Sequence, residues 1–218
     1  MDDVARRTRA DRVRDLLDQH GTTYAEQAGI NLSDKPSPLY RLFVLSTLLS
    51  ARISADIAVA AAKALSANGM RTSTAMDEAT WQQRVDALGG GGYRRYDERT
   101  ATMLGDGARL LLDRWKGDLR RLHDEARDVD HLRELLQEFP GIGPAGADIF
   151  CREVQGVWTD VAPFVDDRVR SGAEAVGLPS TPRALSSLVE QRDLPRLAAA
   201  LVRVTLDDDA AARVRDGG

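Results

Sequence analysis

The fold is decided by His131-Leu132-Arg133-Glu134-Leu135-Leu136-Gln137-Glu138-Phe139 and the five residues after it, Pro140-Gly141-Ile142-Gly143-Pro144. Leu132, Leu135, Leu136 and Phe139 recur at i, i+3, i+4 and i+7, the spacing of a helix with one buried face. Pro140 then ends the pattern, because it has no amide donor, and two glycines around one apolar residue permit a sharp reversal. Pro144 suits the first position of a new helix, on which Ala147, Phe150, Cys151 and Val154 again repeat at i, i+3, i+4 and i+7. The spacing predicts helix, tight hairpin, helix.

A hairpin of this kind brings bare glycine backbone next to the unpaired amides of a helix start, where an anion such as a nucleic-acid phosphate can be held. The plain alternative is an αα-hairpin that merely turns the chain. Outward from it lies Ala162-Pro163-Phe164-Val165-Asp166-Asp167-Arg168-Val169, two carboxylates between apolar residues just ahead of another predicted helix. Either aspartate is also a sound helix cap.

Phe139-Pro140-Gly141-Ile142-Gly143-Pro144-Ala145-Gly146-Ala147, with Val165-Asp166 some way beyond, resembles the signature of the helix-hairpin-helix DNA glycosylase superfamily, and most closely its endonuclease III branch. Leu48-Leu49-Ser50-Ala51-Arg52-Ile53 is similar to that family's leucine-leucine-serine-alanine-glutamine run. The resemblance covers about residues 36 to 178. It implies DNA contacts through Gly141, Ile142, Gly143, Ala145 and Gly146. Arg52 stands where the family's glutamine approaches the gap left by an extruded base, or else is an ordinary surface arginine at a helix end. The resemblance also implies a wedge after a glycine-rich turn, which places Tyr93 in the duplex and Arg94 and Arg95 on phosphates.

The catalytic carboxylate implied is Asp166, which follows an apolar residue and precedes Val169 by three. Asp167 remains open, because the superfamily's alkylpurine glycosylases carry paired aspartates and use the second. Three departures qualify the carry-over. Ala145 occupies the place of the lysine that forms a Schiff base in bifunctional members, so the lyase step is expected to be missing. Cys151 is the single cysteine, so the four-cysteine iron-sulfur cluster of many relatives is not expected. The interval from hairpin to aspartate is a few residues longer than in endonuclease III. A monovalent cation held by hairpin carbonyls is a further expectation of the family, and no side-chain metal site is expected from His20, His123 and His131, which lack ligand spacing.

Lys+Arg 30 against Asp+Glu 34 gives a net charge of -4 in 218 residues, which argues against loose, charge-driven nucleic-acid binding while allowing a local basic face. One cysteine permits no internal disulfide and fits a reducing compartment. With no long apolar run and no signal-peptide core, a cytoplasmic, monomeric protein is expected, its partner double-stranded DNA.

Elsewhere, residues 2 to 20 alternate arginine and aspartate around Val4, Val13, Leu16 and Leu17, predicting a solvated helix on which Arg6, Arg7 and Arg9 are candidate DNA contacts. A linker is expected from Gly21 to Pro38, followed by an all-round apolar helix from Leu39 to Leu49. Helices are also expected over about Ile57 to Leu65, Trp81 to Leu88 and Ala101 to Trp115, and twice between Thr181 and Leu206. Gly89-Gly90-Gly91-Gly92 reads as the loosest point of the chain. The expectation is an all-α fold in two helical lobes with DNA in the cleft between them: residues 36-144 as a bundle ending in the hairpin, 1-35 plus 145-206 as the second lobe, and 207-218 as a frayed tail. The leading function is a monofunctional DNA N-glycosylase. Its alternatives are a non-catalytic relative that recognises distorted duplex, or a fold serving a protein partner.

Overall fold

The computed structural model describes residues 8-216, and Arg6 and Arg7 lie outside them. Every regular element among the described residues is helical: α1 Arg9–His20, α2 Tyr24–Gln27, α3 Pro36–Leu49, α4 Ala55–Ala67, α5 Ser73–Glu78, α6 Trp81–Gly90, α7 Asp97–Trp115, α8 Leu119–Glu125, α9 Val129–Gln137, α10 Pro144–Val154, α11 Asp167–Ala175, α12 Pro182–Ser186, α13 Leu194–Val204 and α14 Asp208–Asp216. A short 3-10 turn, Gln191–Asp193, precedes α13. Local chemistry sets many of these starts. Thr8 with Asp11 and Thr80 with Gln83 form reciprocal capping boxes, and Ser54, Thr72, Asp118 and Asp128 each accept a first-turn amide. No described helix is long and apolar enough to cross a membrane.

The chain divides into two compact units, residues 24-157 and residues 1-23 with 158-218. The divisions lie outside the expected 36 and 144, for a physical reason. The buried Glu153 carboxylate accepts from the amides of Tyr24 (3.0 Å) and Ala25 (3.0 Å), tying α2 to the end of α10. The expected linker therefore contains a helix, and α10 belongs with the bundle.

In the larger unit α3 is the central rod. Leu39, Leu42, Phe43, Leu45 and Leu48 are all buried on it, and it packs on α4, α8 and α10. Phe139 joins the hairpin to this core, its ring 4.7 Å from Phe43 edge to face and 5.5 Å from Trp115 in a stack. The glycine run is not loose. Gly89 and Gly90 continue α6, and a Cβ on Gly91 would fall 2.4 Å from Ala61 Cα, so the backbone there presses directly on α4.

The smaller unit has its own core of Val13 and Leu16 from α1, Val169 and Ala173 from α11, Leu197, Leu201 and Val204 from α13, and Ala210 and Val214 from α14. The expected frayed tail is a helix because Ala210, Ala211 and Val214 share one buried face. At Gly172 a Cβ would meet Leu201 O at 2.0 Å, so α11 lies against the α13 backbone.

Candidate nucleic-acid interface

Residues 138-144 make the predicted hairpin. Gly141 takes φ +88, which excludes most side chains, and Gly143 caps α10 with Pro144 in its first turn. Three segments hold the turn in place. Ser50 Oγ donates to Thr47 O (2.7 Å) and reaches Gly141 O (3.4 Å). Met103 covers Gly141 so closely that a Cβ would lie 2.7 Å from its Cε, and Gly146 leaves just enough room for Ile142 Cγ2 and Ser50 Cβ. Across the two hairpin helices, Arg133 Nε donates to Asp148 Oδ1 at 2.7 Å. Partial burial works against the Arg133 charge, and Asp148 outweighs it, so the guanidinium pKa lies above its ordinary value.

Not every expected hairpin contact can be made. The Ile142 amide donates to Phe139 O (3.1 Å) and its side chain is buried, so that residue is spent on the turn itself. Gly141 and Ala145 are exposed, whereas Gly146 is buried and can offer only its amide. Among the described residues the amides of Gly141, Gly143, Ala145 and Gly146 have no backbone acceptor, and the first turn of α10 carries no acidic side chain. The positive end of that helix is left for an outside anion.

Arg52 lies in the turn after α3, two residues beyond Ser50, and is exposed. Arg94 and Arg95 are exposed as well, and Arg95 lies 5.2 Å from the Tyr96 ring centre. Tyr93 overturns the wedge expectation. It is 1% exposed, its amide donates to Leu88 O (3.0 Å), and its hydroxyl engages Thr100. Burial pushes its phenol pKa up against the pull of that Thr100 bond. Spacing alone could not show this, because the close approach of Gly91 to α4 turns the tyrosine inward. Sequence reasoning also gave Arg99 no role. It is exposed and sits one helical turn before Met103, on the α7 face that meets the hairpin.

In the smaller unit, Asp166 is the N-cap of α11: Oδ1 accepts from the Val169 amide at 3.0 Å, and the side chain is half-buried. Asp167 is the first residue of the helix and exposed. The cap role therefore falls to Asp166. Arg9, the described member of the N-terminal arginine group, is exposed at the start of α1.

No protein-family model matches the sequence, and no curated protein matches it. Solved structures similar in fold include two endonuclease III-DNA complexes. One is a trapped endonuclease III-DNA covalent intermediate in an estranged-adenine complex, with TM-score 0.50 and 15% identity over 91% of this chain and 86% of that one. The other is a non-covalent endonuclease III-DNA complex, with TM-score 0.50, 17% identity and the same coverage. This chain thus shares the all-α endonuclease III fold over most of its length.

Proposed function

We propose that the protein is a monofunctional DNA N-glycosylase of base excision repair, acting on a damaged or mispaired base as a cytoplasmic monomer. The observation that carries this reading is the hairpin. Four amides without backbone acceptors lie in a turn packed on Ser50 and Met103, with exposed Arg52 two residues past the one and exposed Arg99 one helical turn before the other, in a chain with the endonuclease III fold. A phosphate fits that arrangement as a fully charged acceptor.

The chemistry follows from the acid. As the bond from C1' to the base nitrogen breaks, its electron pair leaves with the base and positive charge develops on the sugar. The Asp166 carboxylate stabilises that charge and takes the proton from the water that adds to C1'. Ala145 supplies no amine, so no Schiff base forms and the abasic product keeps its strand intact. Cys151 is the one thiol in this sequence and is buried, so no four-thiolate cluster enters the scheme. A monovalent cation on the hairpin carbonyls would support phosphate binding.

The test is a panel of duplex oligonucleotides carrying alkylated, oxidised, deaminated or mispaired bases, each assayed for strand scission with and without alkali. Scission that needs alkali supports the reading; scission without alkali contradicts the monofunctional part. One observation favours a non-catalytic relative that recognises distorted DNA: an Asp166 oxygen is already engaged by the Val169 amide. That alternative gives salt-sensitive binding and no base release from any member of the panel.

A further inference from the structure

We infer that Met103 is a modification site: a hydroperoxide oxidises its thioether to the sulfoxide, and the sulfoxide weakens the hold of the hairpin on DNA. This control rests on the glycosylase reading above, because it acts on the same turn. Position singles out Met103. Among the described residues the other methionines, Met70 and Met76, are 4% and 0% exposed, and the one thiol of the sequence, Cys151, is buried as well. Met103 is half-buried. It is the sulfur that a small oxidant in solution meets first.

Its contacts give the oxidation a consequence. Helix α7 sets Met103 against Gly141, the residue whose φ of +88 makes the turn. A Cβ at Gly141 would lie 2.7 Å from Met103 Cε and 3.2 Å from Sδ, with Thr47 Cγ2 3.4 Å from the same point. The thioether thus closes an apolar contact among α3, α7 and the turn, while Ser50 Oγ reaches the Gly141 carbonyl at 3.4 Å. An unbranched, polarisable side chain suits such an irregular gap against backbone.

The thioether sulfur attacks the outer oxygen of the hydroperoxide. An S–O bond forms as the O–O bond breaks, the sulfur loses two electrons, and the proton on the transferred oxygen passes to the departing one, which leaves as water or an alcohol. A strong acceptor now stands where an apolar atom stood. Extra bulk the flexible side chain absorbs, but a polar oxygen held in an apolar contact without a donor is disfavoured. Thr47 offers that oxygen a methyl group. The Gly141 amide has no backbone acceptor among the described residues, and a sulfoxide oxygen that takes it removes a donor from the phosphate. A side chain that swings to water instead uncovers Gly141 and deprives the turn of one of its supports. Either route weakens binding.

The experiment uses the full chain, hydrogen peroxide and a labelled duplex carrying an abasic-site analogue. Peptide mass mapping follows each sulfur, and anisotropy follows binding. Met103 should be oxidised ahead of Met70, Met76 and Cys151, and affinity should fall about tenfold as Met103 converts, the worth of one hydrogen bond to a charged group. Methionine sulfoxide reductases for both epimers should return Met103 to the thioether and restore the affinity. Met103→Leu should keep its own untreated affinity through the same treatment; Met1, outside the described residues, is common to both chains. Oxidation of Met70 or Met76 first, unchanged affinity with Met103 fully converted, or an equal fall in Met103→Leu would each overturn the inference and leave the glycosylase reading in place. Should Met103→Leu not fold, the reductase arm decides, since wild type with Met103 reduced again and binding still weak overturns the inference. Failure of the untreated protein to bind the duplex at low salt overturns the glycosylase reading and this inference with it.

Discussion

Two glycine-rich segments of the larger unit, Gly141 to Gly146 and Gly89 to Gly92, look alike as sequence and behave differently as structure. In the first, glycine serves conformation: Gly141 sits at φ +88, and the turn ends on a capped helix. In the second, Gly91 serves proximity, letting its backbone touch Ala61 Cα, Gly92 alone serves conformation at φ +83, and Gly89 and Gly90 are ordinary helical residues with open space where a side chain would go. Flexibility, the usual inference from consecutive glycines, describes neither. A glycine is informative only once it is known whether its φ, its neighbour or neither demands it.

That contrast can be broken by substitution, and the largest effect is expected at Gly91. Gly91→Ala puts a methyl group 2.4 Å from backbone that cannot rotate away, so urea unfolding should show a loss of about 2 kcal/mol or more. Gly141→Ala should lose about 1–2 kcal/mol from the left-handed backbone, since the flexible Met103 can yield. At Gly143, where no atom lies within 4 Å of an added Cβ and φ is -101, Gly143→Ala should leave stability unchanged. A strand seated on that amide would still be obstructed, weakening DNA binding by roughly tenfold, the worth of one hydrogen bond to a charged group. Smallest of all, Gly89→Ala should stabilise by about 0.5–1 kcal/mol, because a helix gains from losing glycine's backbone freedom. If Gly89→Ala and Gly91→Ala gave equal shifts, the claim that the Ala61 contact demands glycine at 91 and not at 89 would fail.

These cases also mark how far the sequence could be read. The hairpin was legible because proline and glycine impose backbone rules that need no tertiary knowledge, the apolar faces of α7, α9 and α10 were legible from period alone, and α3 was legible as a run apolar nearly all round. The inward turn of Tyr93 was not, because it depends on Ala61, some thirty residues away in sequence. The C-terminal helix was hidden for a similar reason: Ala210, Ala211 and Val214 are weakly apolar, and α14 holds because α1, α11 and α13 receive it. Boundaries at 24 and 157 depended on a carboxylate, Glu153, reaching two amides far back in the chain. Long-range contacts of this sort leave no local pattern. Within the candidate site, the sequence offered Asp166 and Asp167 as equals for the cap, and the Val169 hydrogen bond separated them.

The central claim is that Asp166 acts on the sugar and does more than cap α11. Asparagine caps a helix about as well as aspartate, so Asp166→Asn separates the two roles while preserving the fold. The decisive measurement is alkali-revealed base release by wild type and Asp166→Asn, side by side on the lesion that wild type processes, with DNA affinity measured in parallel. The account predicts release reduced by about a hundredfold or more in the variant, with affinity and melting temperature retained. Equal release by the two proteins would contradict it.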